Sequence, residues 1–258
     1  MKLYVHYFVI HIKSIIQYKT SFFFTTLGQF LVSFNVFLGI YFMFDRFQAV
    51  KGYRYSEVLI CFSIVLMGFT LAETFVRGFD VFAQMISNGE FDRLLLRPRN
   101  TIFLILASKI ELTRLGRLVQ AIVILSYAMI TADIVWSWDK IITLILMILG
   151  GSVIFSCLFV LYASICFFTL EGLEFMNILT DGGREFGKYP INVYGKGILR
   201  FCTYIVPYAL FQYYPFLYLT GRTTNPVYLL LPILSCSFAI PCYFMWKFGL
   251  KHYQSTGS

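Results

Sequence analysis

The sequence predicts an all-α polytopic membrane protein, and three observations carry that reading. Hydrophobic residues fill 59% of 258 positions and charged residues only 13%, where a soluble domain is about a quarter charged. Mean hydropathy is +0.74. The apolar residues fall in runs of about 20 or more, enough to cross roughly 30 Å of hydrocarbon, and Lys and Arg collect in the breaks between them. The formal charge of +8 could suit nucleic acid, but basic residues spread over the breaks form no single patch and set topology instead. Cys61, Cys157, Cys166, Cys202, Cys236 and Cys242 sit in apolar sequence without a CxxC pair, and His6, His11 and His252 lie near the termini, so no metal site is predicted.

Residues 1–20 place Lys2, His6, Lys13 and Gln17 on one face at helical spacing, which predicts an interfacial helix. A signal peptide would need a longer apolar core and a small-residue cleavage site. Residues 21–44 form the first span, interrupted only by Gln29, Ser33 and Asn35. Residues 56–79 form the second, ending with Glu73 and Arg77 one turn apart. That pair reads as neutralising itself near the interface; the alternative is that Glu73 lines a passage. Residues 84–100 are a charged insert in which Gly89 permits a turn, residues 90–97 can form a short helix, and Pro98 stops it. Such an insert is either a surface helix held by a soluble partner or an ordinary solvated loop.

Residues 101–131 are too long for one straight crossing and carry Lys109, Glu111, Arg114 and Arg117 early, so an interfacial start precedes a third span from about Leu115. Trp136 and Trp138 anchor a short loop. Residues 141–169 form the fourth span, with Gly150, Gly151 and Ser152 as a surface for close helix packing. Residues 171–200 mix Glu174, Asn177, Asp181, Arg184, Glu185 and Lys188 with apolar positions, too polar for a lipid-facing span. Residues 198–219 and 227–248 then complete six transmembrane helices despite Pro207, Pro215, Pro232 and Pro241. In this register sixteen Lys and Arg lie on the side of the termini against five opposite, placing both termini and the central insert in the cytoplasm. A second register has residues 172–189 cross as a polar-faced fifth span and residues 198–219 form a re-entrant hairpin on the outer side, leaving twelve against nine.

Residues 182–188 match GxxxxGK, the start of a phosphate loop, but Tyr189 stands where Ser or Thr must hold magnesium, and no βαβ pattern surrounds it. HExxH, GxSxG and an internal repeat are absent.

The run Ser87, Asn88, Gly89, Glu90, Phe91, Asp92, Arg93, Leu94, Leu95, Leu96, Arg97, Pro98 resembles the cytoplasmic segment of ABC-2 type transporter permeases, bacterial six-span subunits of ATP-driven exporters. Tyr189-Pro190, Val206-Pro207, Tyr214-Pro215 and the closing Tyr253, Ser255, Gly257 and Ser258 are similar to that family's motifs in the same order, so the resemblance covers nearly the whole chain. It implies one permease domain over residues 1–258, with an interfacial helix at 1–20 and a cytoplasmic coupling helix within 80–100. It also implies a transport subunit without its own ATPase site or cofactor. ATP and magnesium would sit on a separate cytoplasmic nucleotide-binding subunit, and a second permease chain, identical or a sibling, would complete the pathway in the bacterial cytoplasmic membrane.

On that resemblance ATPase coupling falls on Gly89, Glu90, Phe91, Asp92, Arg93, Leu94, Leu95, Arg97 and Pro98. Phe91, Leu94 and Leu95 would be the apolar anchor, with the charges setting orientation. Glu73, Arg77, Glu174, Asp181, Arg184 and Glu185 are candidates for pathway or packing roles. Two readings of other classes, an ion-coupled carrier or channel and a lipid-acting membrane enzyme, would use Glu73 or the 174–185 group. Aromatic, nearly uncharged spans suit peptides, drugs and lipids alike. The purified chain without partners is expected to show no micromolar affinity for ATP, a result that equilibrium dialysis with labelled nucleotide checks directly.

Overall fold

The computed structural model describes residues 2–47, 49–169 and 174–254, with side chains of residues 2–5 excepted. Glu171 and the closing Ser255, Gly257 and Ser258 of the sequence motif lie outside the described residues. Among those described, the architecture is helical with no β-strand. Five helical stretches of the described residues are long and apolar enough to cross a membrane.

Helix α1 (Lys2–Gln17) is followed after Tyr18 by α2 (Lys19–Arg46), the first long helix. Helix α3 (Tyr55–Phe75) starts where Glu57 reaches back to accept the Arg54 backbone N–H at 2.8 Å, a capping interaction. It is the central helix, with most of its side chains buried. The second span was expected to run on to Phe79, but α3 ends at Phe75 and the chain turns at Val76 into α4 (Arg77–Asp80) and α5 (Phe82–Ser87). Gly78 allows this bend, because a Cβ there would collide with the Ile105 carbonyl of α7 (Thr101–Ser108).

Gly89 has φ +66°, a left-handed conformation that glycine adopts without strain, and it starts α6 (Glu90–Leu95). Glu90 and Asp92 lie in the first turn, where the helix dipole favours acids. Asn100 caps α7 by accepting the Ile102 N–H at 2.9 Å. A 3-10 turn (Leu112–Arg114) then leads into α8 (Leu115–Thr131), as the charge pattern of residues 101–131 predicts. Helix α9 (Trp138–Thr169) is the longest. Its Gly151 backbone lies against α3, since a Cβ on Gly68 would come within 3.1 Å of it. The small residues of α9 thus serve the close packing their sequence suggests.

The remaining path corrects the first register and follows the second. Residues 198–219 are not one helix. They fall into α11 (Lys196–Tyr204), α12 (Tyr208–Phe211) and α13 (Tyr213–Leu219), broken at Pro207 and Gln212. Tyr208, at the bend, donates to the Leu179 carbonyl, and Tyr218 at the far end donates to Asp139 at 2.6 Å, next to the start of α9. The segment therefore enters from the end where α9 begins, turns within the bundle and returns to that end.

The passage between the two ends is made instead by α10 (Phe175–Phe186) and the residues after it. Gln212 donates to the Gly187 and Tyr189 carbonyls at 3.2 and 2.9 Å, holding this irregular stretch inside the bundle. Asn192 then accepts from Tyr53 at 3.1 Å, beside the start of α3. Residues 182–188 thus lie largely within a helix. Gly183 and Gly187 give room to Tyr208 and Val65, so these glycines serve packing. Helices α14 (Val227–Ser235) and α15 (Ala239–His252) run continuously through a short 3-10 turn back to the first end, completing the bundle. All six cysteines are free thiols.

A Cβ on Gly151 would lie 2.9 Å from the Phe211 ring, whereas one on Gly39 meets nothing within 4 Å. Gly151→Val is therefore expected to destabilise by about 1–3 kcal/mol through overpacking, while Gly39→Ala in the exposed face of α2 gains up to about 1 kcal/mol of helix propensity. Thermal unfolding of the detergent-solubilised variants should show shifts of opposite sign.

Candidate functional site

Two constellations meet at the end of the bundle where α3 stops. The first is a buried ion network. Glu73, with its side chain only 7% exposed, accepts from Arg117 Nη1 at 2.7 Å, while Arg114 Nη2 and Arg77 Nη1 stand at 3.6 and 3.7 Å. Gln29 of α2 joins the arginines: its Oε1 accepts from Arg114 Nη1 at 2.7 Å and from Arg117 Nε at 2.8 Å. Glu111 accepts from Arg114 Nε at 3.0 Å and lies 3.5 Å from Arg77 Nε. Its backbone N–H also donates to the Thr74 carbonyl at 3.1 Å, tying the turn before α8 to the end of α3. Arg77 is paired most closely with Asp80. Burial raises the Asp80 carboxyl above its ordinary range, with Arg77 opposing that shift.

The expected pair of Glu73 and Arg77 is present, at 3.7 Å, but within a larger network. Arg77 is the most distant of three cations around Glu73, because the break at Val76 removes it from the continuous helix, and the leading partner comes from α8. The sequence carried one sign of this. Arg114 and Arg117 are three residues apart, so they share a face at the start of α8.

The second constellation is α6. Phe91 was expected to anchor a partner, but its ring is fully buried within this chain. It packs against Phe82 at 4.9 Å, Tyr253 at 5.1 Å and Phe167 at 5.4 Å, with Trp246 beyond at 6.5 Å. Leu94 is partly buried against the same cluster. Phe91 therefore fastens α6 to the ends of α9 and α15, and its side is closed to any partner. The outward apolar residues are Leu95, 40% exposed, and Leu96, 86% exposed; Leu96 was left out of the sequence-derived set. Glu90, Arg93, Arg97 and Pro98 are exposed around them. Asp92 accepts from the Tyr253 hydroxyl at 2.9 Å, and burial, reinforced by this bond, pushes that hydroxyl up to about 12, so it stays a donor. Arg97 donates to the Tyr7 hydroxyl at 3.0 Å, and His11 lies 3.4 Å from the Ala107 carbonyl, which sets α1 against α7 and the turn after α6.

The polar residues of α10 come together with each other rather than with Glu73. Arg184 lies 3.3 Å from Asp181 and 3.5 Å from Glu185, with its guanidinium over the Phe69 ring at 4.8 Å. Lys188 is paired with Glu185. Glu174 is exposed at the start of the helix. Among the described residues no group of His, Cys, Asp and Glu is arranged to hold a metal ion.

The sequence matches the family described as ABC-2 family transporter protein over residues 30–257. The chain belongs to that family. No curated protein and no solved structure matches it. Within this ABC-2 transporter subunit the match includes Glu73, its three arginines and α6, and begins after α1 and Gln29. The ABC-2 membrane domain is a transport component, so the ion network and α6 belong to a transport subunit embedded in the membrane.

Removing one member of a buried ion pair leaves its partner uncompensated, typically at about 3–5 kcal/mol. Arg117→Ala is expected to destabilise the solubilised protein by less than that, because Arg114 and Arg77 remain around Glu73, and Arg77→Ala by clearly less still. The check is thermal unfolding. Equal losses for the two variants would mean that Glu73 is shared evenly among its arginines.

Proposed function

We propose that this chain is the permease subunit of an ATP-driven exporter, in which two permease chains, identical or siblings, form the pathway and a separate cytoplasmic ATPase supplies ATP and magnesium. The observation that carries this reading is the two-sided character of α6. One side is locked into the bundle through Phe91, and the other presents Leu95 and Leu96 among Glu90, Arg93 and Arg97. A short rigid helix with two exposed leucines inside a charged rim suits docking into a groove of a soluble protein. Its fixed side meets Phe167 of α9, and Trp246 and Tyr253 at the end of α15, so displacement of α6 would bear directly on two long helices.

Helix α10 supports the paired pathway. Asn177, Asp181 and Glu185 are exposed at successive four-residue intervals, while Met176, Thr180, Gly183 and Gly187 on the opposite side are buried. A polar stripe along a passage through the bundle is costly against lipid. Facing a second permease chain or a hydrated pathway removes that cost. With α10 counted as a crossing, the chain makes six.

The end carrying α6 also carries Arg77, Arg93, Arg97, Arg99, Lys109, Arg114 and Arg117, and the positive-inside rule puts this end, with both termini, in the cytoplasm of a bacterial inner membrane. The second register leaves twelve basic residues inside against nine outside, a smaller excess of the same sign.

Replacing Leu95 and Leu96 together by Asp is expected to cut recovery of the ATPase with the tagged permease at least tenfold while leaving the permease folded, because truncating central anchors costs about 2 kcal/mol or more each. Phe91→Ala is expected to lower the unfolding temperature of the permease itself. Full ATPase recovery and full transport in the Leu95/Leu96 variant would falsify the assignment of α6.

A further inference from the structure

Between α2, α3 and α8 lies an elongated apolar groove of about 490 Å³, walled by Phe30, Phe34, Tyr41, Tyr55, Val123 and Tyr127. Its volume falls in the range of small-molecule sites, and its lining has their usual makeup, aromatic walls with very few polar groups. The wall contributed by α2 runs from residue 30 to residue 41, about 16 Å of helix.

One side chain breaks the apolar pattern. Gln120 lines the groove, is only 4% exposed, and neither its amide nitrogen nor its amide oxygen has a hydrogen-bond partner. Of the hydroxyl groups on these helices, Ser126 donates to the Ile122 carbonyl at 2.8 Å and Ser63 to the Leu59 carbonyl at 2.8 Å, while the buried hydroxyls of Thr26 and Thr70 are unpaired and lie outside the groove lining. Arg117, one turn before Gln120, is engaged by Gln29 and Glu73. A buried amide with both ends unpaired is unfavourable in a medium without water, and lipid tails cannot relieve it.

We infer that this groove binds an amphipathic molecule with an alkyl chain or flat apolar body and an amide-like group, a donor and an acceptor side by side, which pairs with Gln120. The chemistry follows from the amide itself, whose natural complement is a second donor and acceptor in one plane. As a binding site the groove stands independently of the ATPase partnership; as a substrate site it rests on the transport reading.

The test uses two photoreactive probes in membranes containing the full chain: a hexadecanamide with a mid-chain diazirine, and the matched diazirine alkane. Labelled peptides are identified by mass spectrometry. The amide probe is expected to label residues of the groove at least tenfold more strongly than the alkane. Gln120→Leu should remove that preference while alkane labelling persists, which shows that the variant is folded. Val123→Trp, which fills the groove from α8, should abolish labelling there by both probes. Equal labelling by the two probes in the unsubstituted chain would reduce the groove to a lipid-tail contact and overturn the inference. Cross-links from the groove to a second copy of the chain, in place of probe adducts, would overturn it by making the groove a subunit interface. Recovery of the ATPase, measured on the same membranes, is expected to be unchanged by Gln120→Leu, so failure of the groove and failure of the transport reading are separable.

Discussion

The buried carboxylate of Glu73 is the constraint on which one end of this bundle depends. A single acid at the end of α3 draws Arg117 and Arg114 from the start of α8 and Arg77 from α4, and Gln29 brings α2 into the same network. In a protein whose helices meet largely through apolar and small residues, buried charges must find one another. The relative placement of α2, α3 and α8 follows from that requirement. The turn after Val76 leaves Arg77 at the edge of that network, between Glu73, Asp80 and Glu111.

Beside this network sits an aromatic one. Phe82, Phe91, Phe167, Trp246 and Tyr253 form a continuous set of ring contacts with centroids 4.9–6.5 Å apart, joining α5, α6 and the ends of α9 and α15. Aromatic pairs in offset or edge geometry add to burial and resist shear better than flexible side chains. The two networks make the region from α4 to α7 a rigid extension of the bundle. A solvated loop would lack both. In the proposed exporter this stiffness matters, because force applied to a flexible insert would be lost before it reached the spans.

The other half of the chain shows how polarity and glycine work together. Gly183 of α10 and Gly187 just after it make room for Tyr208 and Val65, so the helix can sit close to its neighbours while its charged side remains outward. The hairpin of α11 to α13 fits between α10 and α9 because Gln212 supplies hydrogen bonds to the backbone of residues 187 and 189, which no helix satisfies.

Much of the fold was legible in composition and periodicity. Helices α2, α3, α8, α9 and the α14–α15 pair appear as long apolar runs, because a span must satisfy its backbone internally and offer apolar side chains to lipid. The place and start of α6 were legible too, since Gly89 acts on the backbone locally, whereas the helix ends at Leu95, before the Arg97 end that Pro98 suggests. What residues 172–219 do was not settled by hydropathy: an apolar run broken by prolines can be a span or a hairpin, and an amphipathic stretch can be a loop or a passage. Only the packing of Tyr208 on Leu179 and of Asn192 on Tyr53 decides it. The same holds for Phe91 and Glu73. Sequence determined that an aromatic ring sits in a charged insert and that an acid ends a span. Which surface the ring covers, and which arginine the acid chooses, depend on groups far off in the chain, Trp246 and Tyr253 for Phe91 and Arg117 for Glu73, brought near only by the closed bundle.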